Sequence, residues 1–341
     1  MATINDVCRE ANVSKATVSR VVNGTGQVKE STRLKVQRAM DVLNYRPSPV
    51  AQALALQSTN SIGVMISDFN SRYLGSFLKQ ASISTKALGK NLIIADGHNC
   101  PEEELAAVQS LIEKKCDLII LNGSLITDEQ LISLNQQVDI PLVHIGRSLS
   151  PEAGYSIAVD QRLIIETAID HLVEIGHRNI VYIGPTSLTK ASVERSAAFA
   201  EVVSKFQPLN VVGTHIECLL GFDEGYEACK ALLEKGFPFS AVVGATDEVA
   251  AGCISALKEA GIDVPGQVSV IGTDNDRFGA FMTPGLTTID TKMKEMVSRV
   301  MDVASQLIEN KKHLKPEVIV GALVERSSTC HPQTREASQL V

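Results

Sequence analysis

The stretch Ser14-Lys15-Ala16-Thr17-Val18-Ser19-Arg20, SKATVSR, packs two cations and three hydroxyls into seven residues near the start of the chain. Upstream, Ile4, Val7, Cys8 and Ala11 recur at helical spacing and form one apolar stripe. Thr3 is placed to cap that first helix, with Asp6 at the capping-box position. Asn12-Val13 breaks the stripe. Ser14 can then cap a second helix running to about Val22, whose inner face is Ala16 or Thr17 with Val18, Val21 and Val22. A third helix is expected from residues 30–31 onward, burying Leu34, Val36, Met40 and Leu43 and ending at Tyr45 and Pro47. Helix, tight turn, helix and supporting helix make up the helix-turn-helix plan, in which the second helix enters the major groove of DNA.

The polar residues of SKATVSR then divide by position. Lys15 and Ala16 fall at the amino end of the reading helix, where lysine can donate to guanine and alanine can touch a thymine methyl. Arg20, more than one turn along, can reach a further guanine. Ser14, Thr17, Ser19 and Asn23 suit phosphate, which fixes register without reading sequence. Thr3 and Thr32 complete the expected DNA contacts.

Charge supports a polyanion partner for this part of the chain alone. Residues 1–60 hold eight Lys/Arg against four Asp/Glu, while the whole chain has a net charge of −7. Its 341 residues, 44% of them apolar, are enough for two or three folding units with real cores. No run of about 18 apolar residues points to a membrane span, and the opening MATINDVCREANV lacks the pattern of a signal peptide. Seven scattered cysteines with no C-x-x-C pair fit a reduced, cytoplasmic protein with neither metal nor cofactor.

Ser48 and Pro49 can start a short helix through Ala51, Leu54 and Leu56. About eight residues are too few to be helical alone in water, so this segment would form against a twin and DNA. Leu54 would be its wedge into a minor-groove step.

From residue 61 on, apolar strands (62–66, 92–95, 118–121, 142–145, 180–183, 211–214, 241–243 and 268–271) alternate with amphipathic helices (102–114, 161–175, 224–234 and 249–259). Gly89, Gly176, Gly236 and Gly261 stand where helices should end. Such alternation implies parallel sheets covered by helices. About eleven strands exceed what one sheet of this kind usually holds, so two lobes are expected. Ligands of such sheets bind at the carboxyl ends of strands. The polar residues there are Ser67-Asp68, Asp96, Asn122, Gly146-Arg147, Asp160, Thr246-Asp247 and Asp274. With one cation among hydrogen-bond formers, the set suits an uncharged, polyhydroxylated ligand.

The run VSKATVSRVVN fits the pattern V-S-x-x-T-V-S-R-V-[VL]-N and is followed by YRPSPVAQALA, GHRNIVYIGP, ISALKEAGIDVPGQVSVIGTD, PGLTTI and LVERSST. In these motifs and their order, almost the whole chain resembles the LacI family of bacterial transcriptional regulators. MATI-DV, KKCDLIIL and IADGHN look most like its galactose-repressor and aryl-β-glucoside-repressor branch.

The resemblance implies a homodimer on a near-palindromic operator, with Lys15, Ala16 and Arg20 reading bases and Leu54 as the minor-groove wedge. It also implies a core of periplasmic-binding-protein-like type I design, with two doubly wound parallel lobes. The implied divisions are a helix-turn-helix domain at 1–47, a hinge at 48–60 and a core at 61–330. The first lobe would comprise about 61–159 plus 289–317, the second about 160–288 plus 318–330, and 331–341 a tail. The implied effector contacts are Ser67, Tyr73, Asn122, Arg147, Arg195, Thr246 and Asp274, around a sugar or sugar derivative. Tyr73 matches an aromatic on which a sugar ring can stack, and Arg195 an arginine that bonds sugar hydroxyls.

The chain departs from the family at Pro49 before the hinge valine, at Thr246 in the usual Asn-Asp pair, at Gly146 for Asp or Asn, and at Ala198 for Gly. The expected function is a repressor of a sugar-utilisation operon. Against it stand a sugar-binding transport protein, opposed by the basic start, and a sugar-acting enzyme. The enzyme lacks support: there is no P-loop, G-x-S-x-G or H-E-x-x-H, and the seven histidines are dispersed. His177, in the loop before a strand, reads as structural.

Overall fold

The computed structural model describes residues 2–48, 58–67, 69, 74–122, 125–187, 189–309 and 314–332. The amino-terminal unit contains α1 (Ile4–Ala11), α2 (Lys15–Asn23) and α3 (Glu30–Val42). A Thr3–Asp6 capping box starts α1, and Asn12 ends it in the left-handed conformation. Ser14 starts α2, its hydroxyl accepting from the Thr17 amide at 3.2 Å. Val7, Ala11, Val18, Val36 and Ala39 form the small core. One expectation changes here, and one open alternative closes. Leu34 is 47% exposed, because α3 turns Val36 and Ala39 inward instead. On α2, Thr17 is half-buried and Ala16 is exposed, which settles the inner face.

The remainder forms two six-stranded sheets. The first contains β1 (Ser61–Ile66), β2 (Asn91–Asp96), β3 (Leu118–Asn122), β4 (Leu142–Ile145), β5 (Tyr155–Val159) and β11 (Glu317–Ile319), in the order β11-β5-β4-β3-β1-β2 and wholly parallel. The second contains β6 (Asn179–Ile183), β7 (Val212–Ile216), β8 (Ala241–Gly244), β9 (Ser269–Thr273), β10 (Thr287–Asp290) and β12 (Ala322–Val324), in the order β12-β10-β9-β8-β6-β7. Only β12 runs antiparallel, against β10. The three-residue β11 and β12 are too short to show a period in sequence. The chain crosses between the sheets after Val159, Asp290 and Ile319. The last two crossings fall two residues beyond the expected lobe limits of 288 and 317.

Both faces of each sheet are buried, and the side chains divide with the pleat. Ile62, Val64 and Ile66 join the core under α4 (Leu74–Ala87) and α11 (Met293–Ile308), whereas Met65 joins the core under α5 (Pro101–Glu113) and α6 (Asp128–Gln137). In the second sheet Ile180 and Tyr182 face α7 (Gln161–Glu174) and α8 (Lys190–Lys205). Val181 and Ile183 face α9 (Phe222–Glu234) and α10 (Asp247–Glu259). All four expected C-terminal glycines carry positive φ, between +63° and +100°. His177 is buried: Nδ1 lies 2.9 Å from the Ser240 hydroxyl, and Nε2 lies 3.0 Å from the Cys330 carbonyl, to which it donates. Burial holds its pKa down at about 4, so it is a neutral tie between β6 and the chain end.

Candidate functional site

Two sites emerge, one on α2 and one between the sheets. On α2, Ser14, Lys15, Ala16 and Arg20 are exposed, and Thr17, Ser19 and Asn23 are half-buried. The Thr17 hydroxyl lies 2.9 Å from that of Ser14, and the Asn23 amide donates to the Ser19 hydroxyl at 3.2 Å. These contacts pre-order the small polar groups at both ends of α2, while Lys15 and Arg20 are exposed. Thr3 is exposed at the start of α1, its hydroxyl donating to Asp6 at 2.7 Å, and Thr32 is half-buried in the first turn of α3. Leu54 and Pro49 lie outside the described residues.

Between the sheets lies a cavity of about 400 Å³. Of the expected effector residues, Asn122, Arg147, Arg195, Thr246 and Asp274 line it. Asn122 ends β3, and Arg147 follows β4. Arg195 projects from α8, its Nε donating to Gln161 Oε1 at 2.6 Å and its Nη1 to the Ala245 carbonyl at 2.7 Å. Thr246 caps α10, accepting from the Val249 amide at 3.2 Å. Asp274 has φ +112° and faces Arg195. Burial, with Asp276 and Glu248 nearby, outweighs that arginine and pushes its carboxyl up to about 7.

Ser67 is not part of this wall: it is buried and its hydroxyl donates to Glu104. Glu104, itself buried on α5, also accepts from the Leu125 amide at 2.7 Å, so the strand-end hydroxyl serves a loop anchor. Tyr73 and Asp68 lie outside the described residues. Asp96 accepts from the His98 amide at 2.9 Å and Asp160 from the Leu163 amide at 2.9 Å, both ordinary turn and cap uses. Asp247 is fully buried beneath the wall.

Several wall residues carried no sequence signal. His144 and Tyr182 sit inside short strands whose neighbours are apolar, and Gln161, Lys190 and Glu248 occupy first turns of helices, where polar residues are common. The glycine at 146 has a backbone cause. Its φ is +96°, which disfavours the Asp or Asn expected from the family. Ala198 is packed beside Phe199 in the core and does not reach the cavity.

Residues 3–48 match the family model for bacterial regulatory proteins of the lacI family, and residues 169–329 match that of the periplasmic binding protein-like domain. The chain is 32% identical over 340 residues to the HTH-type transcriptional regulator GalR of Escherichia coli K12, covering 97% of each chain. The chain belongs to the LacI family. Another relative, the HTH-type transcriptional regulator AscG of the same strain, is 28% identical over 339 residues, covering 97% of this chain and 99% of that one. A crystal structure of the lac repressor dimer bound to operator and the anti-inducer ONPF superposes with a TM-score of 0.85 at 26% identity, covering 96% of this chain and 99% of that one. As a LacI-family protein, the chain is a DNA-binding transcriptional regulator and not an enzyme. Among the described residues no helix is long and apolar enough to cross a membrane.

Proposed function

We propose that this LacI-family chain is a cytoplasmic repressor of a sugar-utilisation operon, acting as a homodimer on a near-palindromic operator and controlled by a sugar-like effector in the interlobe cavity. One observation carries the reading: a helix exposing Lys15, Ala16 and Arg20 and a cavity walled by both lobes stand on the same chain. An effector touching both walls favours one lobe arrangement, and the arrangement sets how far apart two reading heads are held. Coupling is reciprocal, so an effector that weakens operator binding must itself bind the operator complex less tightly.

In this reading Lys15, Ala16 and Arg20 meet base edges. Thr3, Ser14, Thr17, Ser19, Asn23 and Thr32 position the phosphates, and Leu54 wedges the minor groove. Asn122, Arg147, Arg195, Thr246 and Asp274 meet the effector. The test begins with a footprint of the full chain upstream of its own gene, followed by a thermal-shift screen of sugars and operator release by each hit. Absence of any sequence-dependent footprint would defeat the DNA half of the reading. Lys15→Ala is expected to change operator preference by about 1–3 kcal/mol at the base pairs it reads. Ser19→Ala should weaken all operators nearly equally. Competition binding on operator variants separates the two. An unchanged preference in Lys15→Ala would remove Lys15 from the reading surface.

A further inference from the structure

Three features converge on one part of the cavity wall. His144, the third residue of β4, is 1% exposed, and among the described residues neither ring nitrogen has a hydrogen-bond partner, though both belong to a cavity-lining side chain. Arg147 and Lys190 line the same cavity and bracket Asp128, at 3.0 and 3.7 Å from its two carboxylate oxygens. Finally, the wall includes Thr189 to Ser192, the start of the 16-residue α8. Thr189 takes up the Ser192 amide at 3.1 Å, and the first-turn amides before it have no intrahelical acceptor. They present the positive end of the helix dipole.

Among the described residues the balance of charge there is positive: one carboxylate, Asp128, pairs with both cations. Glu104 and Glu194 also act on Arg147, but neither lines this cavity: Glu104 is held by Ser67 and the Leu125 and Ile126 amides, and Glu194 faces a neighbouring cavity. Burial first, then Arg147 and Lys190, holds the His144 pKa down at about 3 against a weaker opposing effect from the Ile145 backbone. The ring is therefore neutral, with one N–H to donate. A second group of wall residues, Glu248, Asp274 and Asp276 with Arg195, is acidic and suits hydroxyls.

We propose that the effector carries an oxyanion, a phosphate monoester or a carboxylate, held by His144, Arg147, Lys190 and the first-turn amides of α8, with its hydroxyls toward the acidic group. This rests on the reading of the cavity as the effector site and changes its ligand class from an uncharged sugar to an acidic one. Arg147 and His144 belong to the first lobe and Lys190 to the second, so the oxyanion ties the lobes together.

The probes are inorganic phosphate and acetate, titrated separately into full-length protein carrying ¹⁵N-histidine, with the His144 ring signals assigned by His144→Gln. A saturable shift at millimolar phosphate or acetate is expected, and the anion that gives it tells the phosphoryl from the carboxylate ligand. Lys190→Met should weaken that response about tenfold. Lys190 has a side chain 45% exposed, so the variant should keep its fold, which an unchanged far-ultraviolet circular dichroism spectrum and urea midpoint verify. Failure of both anions to move His144, or an equal response in Lys190→Met, would overturn the oxyanion site. Thermal stabilisation by D-glucose or D-galactose in such a protein keeps the effector reading alone. A saturable phosphate response without stabilisation by any neutral or acidic sugar keeps the oxyanion and overturns the sugar.

Discussion

Gly252→Val is expected to destabilise the second lobe by about 3 kcal/mol or more, the upper end of what overpacking costs. Gly252 lies on α10 where it crosses α9, and a β-carbon there would stand 2.6 Å from the Tyr226 backbone nitrogen and also collide with the Phe222 carbonyl. The contact is reciprocal. A β-carbon on Gly225 of α9 would stand 2.7 Å from Val249 Cα on α10. The obstacles are backbone atoms of regular helices, so no side chain can rotate away, and one helix must move off the sheet that both cover. The measurement is a urea unfolding curve beside Gly236→Ala. At Gly236, φ is +63° and the space is open, so only backbone strain of about 1 kcal/mol is at stake. Equal losses in the two variants would show that the helices do not cross backbone to backbone.

Asp247→Ala is expected to cost a comparable amount, for a polar reason. The Asp247 carboxyl accepts from the Thr288 hydroxyl at 2.5 Å and from the Asp276 amide at 2.6 Å, and it is fully buried. Removing it strands the buried Thr288 hydroxyl and the half-buried Asp276 amide, at about 1–3 kcal/mol for the buried one and less for the other. Burial first, then the neighbouring Asp274, pushes its pKa from the ordinary 3.8 up to about 8. Between those values the folded chain keeps a proton that the unfolded chain has released. Stability should therefore fall as pH rises from about 4 to about 8, and Asp274, raised to about 7, acts in the same direction. Asp247→Asn keeps the shape without the titration and should flatten the upper part of that fall. Urea midpoints across this range are the check, and a wild-type midpoint that rises through it would contradict the assignment.

Asp247 is legible in sequence as a polar residue after a strand, but its burial is not, because its partners lie 29 and 41 residues further along the chain. The Ser67 hydroxyl is likewise engaged by a partner distant in sequence, Glu104, 37 residues away. Ser14, in contrast, caps α2 as expected because cap and amide are three residues apart. The expected strands from Ile62 to Ile271 each overlap an observed strand, with Val211 and Val268 one residue short of theirs, because their apolar runs are local and continuous.

By itself the sequence determined the helix-turn-helix unit, the alternation of strands and helices, and the family, since capping, periodicity and motif order act over a few residues. The tertiary structure alone decided which polar groups share a wall. Arg147 and Lys190 are brought to either side of Asp128, and His144 to the same cavity as Tyr182 from the other sheet, by three chain crossings that no local pattern encodes. The helix that carries Lys190 could be foreseen. That its amino end would share a cavity with a buried histidine depended on how two sheets face each other, and that is set by the burial of whole faces rather than by any residue's neighbours in sequence.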